Sequence, residues 1–151
     1  MRLDLTPLEE FDSNILLYAV RTFEPNHYVA KNVLDTILSQ MESVAFTDIA
    51  INEFIANASN KRLSVPVTSV EQAVKQVNNW LSAPNVTVIR NSPQSFNTFV
   101  KLCERTGRTG QEIYDAQIAA ICIDNGVTEF ITNDKGFEKF TELRIRNPFA
   151  A

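Results

Sequence analysis

Four acidic residues combine the right side chain with a suggestive place in the chain: Asp12, Glu53, Asp115 and Asp134. Asp12 ends Leu8–Asp12, a short run that reads as a strand. Asp134 comes just after a second such run, Glu129–Thr132. Asp115 falls in the first turn of the alanine-rich helix expected over Ile113–Asp124, which leads into that second strand. Glu53 lies on the helix expected after Val44–Phe46, which also carries Ile49, Ile51, Phe54 and Ile55. A carboxylate among apolar neighbours needs a partner. Gathered together, such acids repel: two like charges ~4 Å apart at an effective dielectric of ~20 oppose each other by ~4 kcal/mol. Some of their pKa values must then rise unless a cation is shared. Mg²⁺ and Mn²⁺ are hard ions that take carboxylate and water oxygens and need few protein ligands. An ion held this way lowers the pKa of water and offsets charge on a transferring phosphoryl group. The chemistry within reach is therefore metal-assisted phosphoryl hydrolysis, which needs no histidine or cysteine nucleophile.

The elements that must position these acids alternate. Helices are expected over Ile15–Val20 and Tyr28–Gln40, the latter with Val29, Val33, Ile37 and Leu38 on one apolar face. Thr47 or Asp48 can cap the helix that carries Glu53. Ser69 caps a helix whose buried stripe is predicted as Val70, Val74, Val77, Trp80 and Leu81. Val86–Ile89 reads as a strand, and Ser92-Pro93 opens a helix to about Arg105 with Phe96, Phe99, Val100 and Cys103 inward. A glycine-punctuated loop, Thr106–Gly110, precedes the alanine-rich helix, and Leu143–Ile145 is a last short strand. Strands separated by helices predict an α/β fold: a central, mostly parallel sheet of four or five strands between helical layers. In such sheets ligands bind beyond the carboxyl ends of the strands. Asp12, Asp134 and Asp115 all fall on that edge, and a glutamate side chain at 53 is long enough to reach it.

Spacing alone leaves plainer readings open. The chain has 18 acids among 151 residues. Asp12 could simply cap the helix after it, and Asp115 could be a first-turn acid favoured by the helix dipole. The apolar content of 44% and charged content of 21% describe one ordinary soluble domain, 1–151, with its core over about 8–149. No apolar run is long enough to cross a bilayer, and Asp4, Glu9 and Glu10 stand where a signal peptide needs apolar residues, so a cytoplasmic location is expected. Cys103 and Cys122 read as reduced, partly buried thiols. The single histidine, His27, reads as a surface residue at a helix start. A net charge of −4 is unusual for a nucleic-acid binder. Acids neutralised by a metal, with a local basic rim, can coexist with such a total.

In order along the chain, several segments resemble the PIN-domain ribonucleases, and within them the VapC-like toxins of bacterial toxin–antitoxin pairs. Asp12-Ser13-Asn14-Ile15-Leu16-Leu17-Tyr18-Ala19-Val20 is similar to the family's opening segment. Asn52-Glu53-Phe54 resembles its helix glutamate, and Trp80-Leu81 with Pro84-Asn85-Val86 the stretch before its middle strand. Asp115-Ala116-Gln117-Ile118-Ala119-Ala120 resembles the third acidic motif, Thr132-Asn133-Asp134-Lys135-Gly136-Phe137 the fourth, and Arg146-Asn147-Pro148-Phe149 the usual ending. The resemblance implies a three-layer α/β/α PIN-like fold and a Mg²⁺- or Mn²⁺-dependent endoribonuclease. Asp12, Glu53, Asp115 and Asp134 would be its catalytic, metal-binding acids, with Asn14 and Thr132 in support. It also implies an RNA substrate, a homodimer, and a small antitoxin protein that inserts a segment into the active-site groove.

Two departures stand out. Many relatives carry a further aspartate two positions after the fourth acid, where this chain has Gly136. The leader before Asp12 is longer than usual, and Glu9-Glu10 would sit awkwardly in a buried central strand. The first strand is then short, or the true start lies downstream of Met1. Arg105, Arg108 and Lys135 flank the acidic edge and could hold substrate phosphates, or could be ordinary surface cations. Lys61-Arg62 reads as a solvated loop. The alternatives to a ribonuclease are a catalytically weak module of the same fold that binds RNA or a partner, and a DNA-directed nuclease.

Overall fold

The computed structural model describes residues 7–62 and 66–150. Residues 1–6, on which the alternative start bears, lie outside that range. Five strands form one fully parallel sheet in the order β3-β2-β1-β4-β5. They are β1 (Leu8–Phe11), β2 (Ser43–Thr47), β3 (Val86–Ile89), β4 (Glu129–Ile131) and β5 (Arg144–Arg146). The helices are α1 (Ser13–Val20), α2 (His27–Leu38), α3 (Asp48–Ala58), α4 (Val70–Leu81), α5 (Pro93–Thr106) and α6 (Glu112–Asp124). A 3₁₀ turn spans Lys135–Lys139.

Alternation along the strands separates two cores. Leu8, Ala45, Ile89 and Phe130 face α5 and α6. Phe11, Val44, Phe46 and Ile131 face the layer of α1 to α4, where Phe46 and Phe54 pack on Trp80. The predicted three-layer arrangement is present.

Helix starts follow capping chemistry. Thr47 Oγ1 accepts from the Ala50 N–H at 3.0 Å and starts α3. Ser69 and Gln72 form a reciprocal capping box on α4, and Ser92 and Ser95 do the same on α5 with Pro93 in its first turn. Gly107, at φ 61°, closes α5 in the left-handed conformation that glycine adopts without strain.

Several predicted faces are rotated. On α2 the buried residues are His27, Ala30, Leu34 and Ile37, while Val29 is exposed. Both stripes have helical spacing, and the one with the small Ala30 packs toward α1. His27 is therefore no surface residue: it is 6% exposed, and its Nδ1–H donates to the Tyr18 carbonyl at 2.9 Å. On α4 the buried residues are Ala73, Val77 and Trp80, with Val70 and Val74 exposed. On α5, Ser95 and Leu102 are buried while Phe96 and Val100 face outward. The Ser95 hydroxyl is consumed by Ser92 and Asn91, so a polar residue tolerates the inner face.

Glu10 is the largest surprise in the sheet. It sits in the central strand, 0% exposed, between Ala45 and Phe130 in register. Its Oε1 accepts the Thr47 N–H at 3.1 Å, and Oε2 has no partner. Burial first, then the charges of Asp12 and Glu53, push its pKa well above the carboxylate range. A protonated acid is the form such a site tolerates. The strand accordingly runs through both glutamates.

Candidate active site

Asp12 follows β1 and is the N-cap of α1, with Oδ1 accepting from the Ser13 N–H at 2.8 Å. The capping role and the site role coexist in one carboxylate. Its other oxygen, Oδ2, accepts a 2.6 Å hydrogen bond from the Thr132 hydroxyl. Thr132, just past β4, also accepts from the Asp134 N–H at 3.0 Å and, at 3.5 Å, from the Asn14 amide. One buried hydroxyl thus ties the ends of two neighbouring strands to two of the candidate acids. Asp134 in turn caps the 3₁₀ turn, accepting from the Gly136 N–H at 2.8 Å.

Asp115 stands in the first turn of α6, which begins on the same edge. Glu53 reaches in from α3, and its Oε1 is buried without a partner. The four acids share one electrostatic field. Asp12 is raised to about 6 by burial, opposed by the Thr132 and Ser13 hydrogen bonds and reinforced by Asp115 and Asp134. Glu53 is raised to about 7 by burial and by the charges of Asp12 and Asp115. Asp115 is raised to about 6 by burial and by Asp134, against the lowering influence of Arg108. All four predicted acids are therefore brought together.

The donors are hard oxygens, and a buried carboxylate oxygen waits unpaired at Glu53. Among the described residues no three acids close into a ready-made cage. That combination suits Mg²⁺ or Mn²⁺, which keep several waters and take one or two carboxylates directly. Asp12, Asp115, Asp134 and Glu53 are the acids from which such an ion would draw its one or two direct carboxylates, the others acting through its waters.

The predicted cations separate. Arg105 is engaged on the surface by Glu142, through two bonds of 2.8 and 2.7 Å. Lys135 is exposed beside Asp134. Arg108 lies inside the cluster, 3.5 Å from Asp115 Oδ2. A feature missed from the sequence is a cavity of about 470 Å³ lined by Ile49, Glu53, Gln111, Glu112, Tyr114 and Asp115. Tyr114 is 54% exposed there. An aromatic next to Asp115 on a helix was the available signal, lost because α6 otherwise reads as a core helix.

The chain belongs to the PIN-domain family, whose profile matches residues 10–143. It is 29% identical over 137 residues to the VapC ribonuclease Mb2897 of Mycobacterium bovis, covering 91% of this chain and 92% of that one. The same figures hold for ribonuclease VapC43 of Mycobacterium tuberculosis. Among solved structures, the fold is shared with VapBC2 from Rickettsia felis bound to a promoter DNA fragment (TM-score 0.65, 21% identity, 93% and 98% of the two chains). It is shared also with Mycobacterium tuberculosis VapC20, a sarcin-ricin loop cleaving toxin (TM-score 0.67, 14% identity, 86% and 92%). No helix of the described residues is long and apolar enough to cross a membrane.

Proposed function

We propose that the chain is one PIN domain acting as a divalent-metal-dependent endoribonuclease, the toxin of a toxin–antitoxin pair, working in the cytoplasm. The observation that carries this reading is the convergence of Asp12, Glu53, Asp115 and Asp134 in one field that leaves three of them with raised pKa values. The relatives' names as VapC ribonucleases support RNA as the substrate class. The VapBC structures support a small antitoxin as partner. The family resemblance supports a homodimer as the assembly.

A bound Mg²⁺ or Mn²⁺ would supply Lewis acidity, activating water and offsetting charge at the scissile phosphate. Asp12, Asp115 and Asp134 would hold it. Thr132 keeps Asp12 and the Asp134 backbone in fixed relation, so the ligands need little reorganisation. Glu53 Oε1, buried and unpaired, can take a proton from water. Tyr114 offers a face on which a flanking base could stack, with the Gln111 amide available to its edge.

Incubating the protein with RNA and DNA pools, with Mg²⁺, Mn²⁺ or EDTA, tests this. Metal-dependent fragmentation of RNA alone is expected. Cutting of DNA instead would favour the DNA-directed nuclease, and no cutting of any pool would favour the binding module.

A further inference from the structure

The acidic cluster already contains one cation. Arg108, in the loop between α5 and α6, has a side chain only 8% exposed. Its Nη1 lies 3.5 Å from Asp115 Oδ2 and donates to the Gly136 carbonyl at 2.9 Å. Its Nε faces Glu112 Oε2 at 3.3 Å, an ion pair without hydrogen-bond alignment. The guanidinium carbon is 6.0 Å from the centre of the Phe140 ring.

Gly136 is what makes room for this group. A Cβ at position 136 would lie 2.6 Å from Arg108 Nη2, 3.0 Å from Nη1 and 3.0 Å from Asp134 Oδ1. The backbone does not explain the glycine, because Gly136 is not among the residues with positive φ. The guanidinium fills the space into which any side chain at 136 would project. A residue in that position, including an acid, would contend with Arg108 for the same volume.

We propose that Arg108 is an internal counter-cation of the carboxylate cluster: it neutralises Asp115, pins the 134–136 turn, competes with a divalent ion for Asp115, and occupies the space that a side chain at residue 136 would enter. This rests on the reading of the cluster as a metal site. Arg108 is a positioning residue that acts through Asp115 and the 134–136 turn. Its side chain is largely buried against Asp115 and the Gly136 carbonyl, which places it poorly to reach a substrate phosphate.

Two measurements decide the matter. The first is a melting cycle in EDTA on wild type, Arg108→Met, Asp115→Asn and the double variant. Met keeps the apolar contact with Phe140 and removes the charge. Arg108→Met should lower Tm by several degrees in wild type and far less beside Asp115→Asn, because the charge it offsets is then gone. Equal losses in both backgrounds would overturn the proposal.

The second is calorimetric titration with Mn²⁺. Removing a unit charge beside a divalent ion should tighten Mn²⁺ binding about tenfold in Arg108→Met, while Arg108→Lys stays near wild type. Unchanged or weaker binding in Arg108→Met contradicts the competition. Should that variant not fold, Arg108→Gln, which also removes the charge, reads the same effect, and it too must bind Mn²⁺ more tightly. Wild type that takes up no Mn²⁺ would sink the metal reading itself; the EDTA cycle would still decide whether Arg108 is the counter-cation.

Discussion

Thr132 shows how much of the site depends on one small group. Its buried hydroxyl donates to Asp12 and accepts from the Asp134 N–H. Thr132→Val keeps the shape and leaves that amide and a carboxylate oxygen unpaired. A destabilisation of about 1–3 kcal/mol is expected, with Thr132→Ser recovering most of it. Chemical denaturation of the three proteins checks this; equal stability would mean the hydroxyl bonds are immaterial.

The acids also set a pH dependence. Asp12 and Asp115 titrate at about 6 and Glu53 at about 7 in the folded chain, all above ordinary carboxylate values near 4. Between pH ~4 and ~7 the folded protein therefore holds protons that the unfolded chain has released. Stability should fall as pH rises through that window, and level off above it. Below it both states are protonated and these acids make no difference. Melts in EDTA from pH 4.5 to 8 should show a declining Tm, and a rising Tm across that range would contradict the shared field.

At the scale of elements, α3 and α6 are the two helices that deliver acids to the edge from outside the strands. Thr47→Ala removes the cap that starts α3 and should cost ~1 kcal/mol. The larger effect should be on metal affinity, because Glu53 rides on that helix. On α6, Tyr114→Ala should raise KM for RNA several-fold with kcat little changed, whereas Tyr114→Phe, which keeps the stacking face, should stay near wild type. Steady-state kinetics on one short RNA separates the two; equal KM values in all three would remove the stacking role.

The edge that gathers the acids was legible because strand–helix alternation forces it: Asp12 and Asp134 follow strands, and a crossover helix must start beside them. Thr132 was legible only through the ordered motifs. Faces of helices were harder. On α2 both 29-33-37 and 30-34-37 satisfy helical spacing, and only the approach of α1 selects the second. On α5 a serine occupies the inner face because Ser92 and Asn91 satisfy it, a pairing that no hydrophobic pattern contains. Sequence places Arg108 only near the acidic edge, because the space that receives it belongs to a glycine 28 residues later. Glu10 looked wrong for a buried strand, and it is buried all the same, through the Thr47 amide and a raised pKa.

For the whole molecule, the net charge of −4 is compatible with an RNA-cutting enzyme if the acids are concentrated where a cation offsets them. Mn²⁺ at ~100 times its Kd should then stabilise the protein by ~2.7 kcal/mol, a shift of several degrees at this length. Expression should arrest bacterial growth, and co-expression of the antitoxin partner should relieve it; growth that continues without the antitoxin would argue against a toxin.

Asp12→Asn offers the sharpest single comparison. Asparagine is as good an N-cap as aspartate, so α1 should keep its start while the metal-binding charge is lost. Cleavage of one RNA substrate in Mn²⁺ should be robust for wild type, absent in EDTA, and reduced at least ~100-fold in Asp12→Asn, in keeping with the weight of one electrostatic group at a reacting centre. Cleavage by Asp12→Asn at the wild-type rate would contradict the assignment of the four carboxylates as the working site.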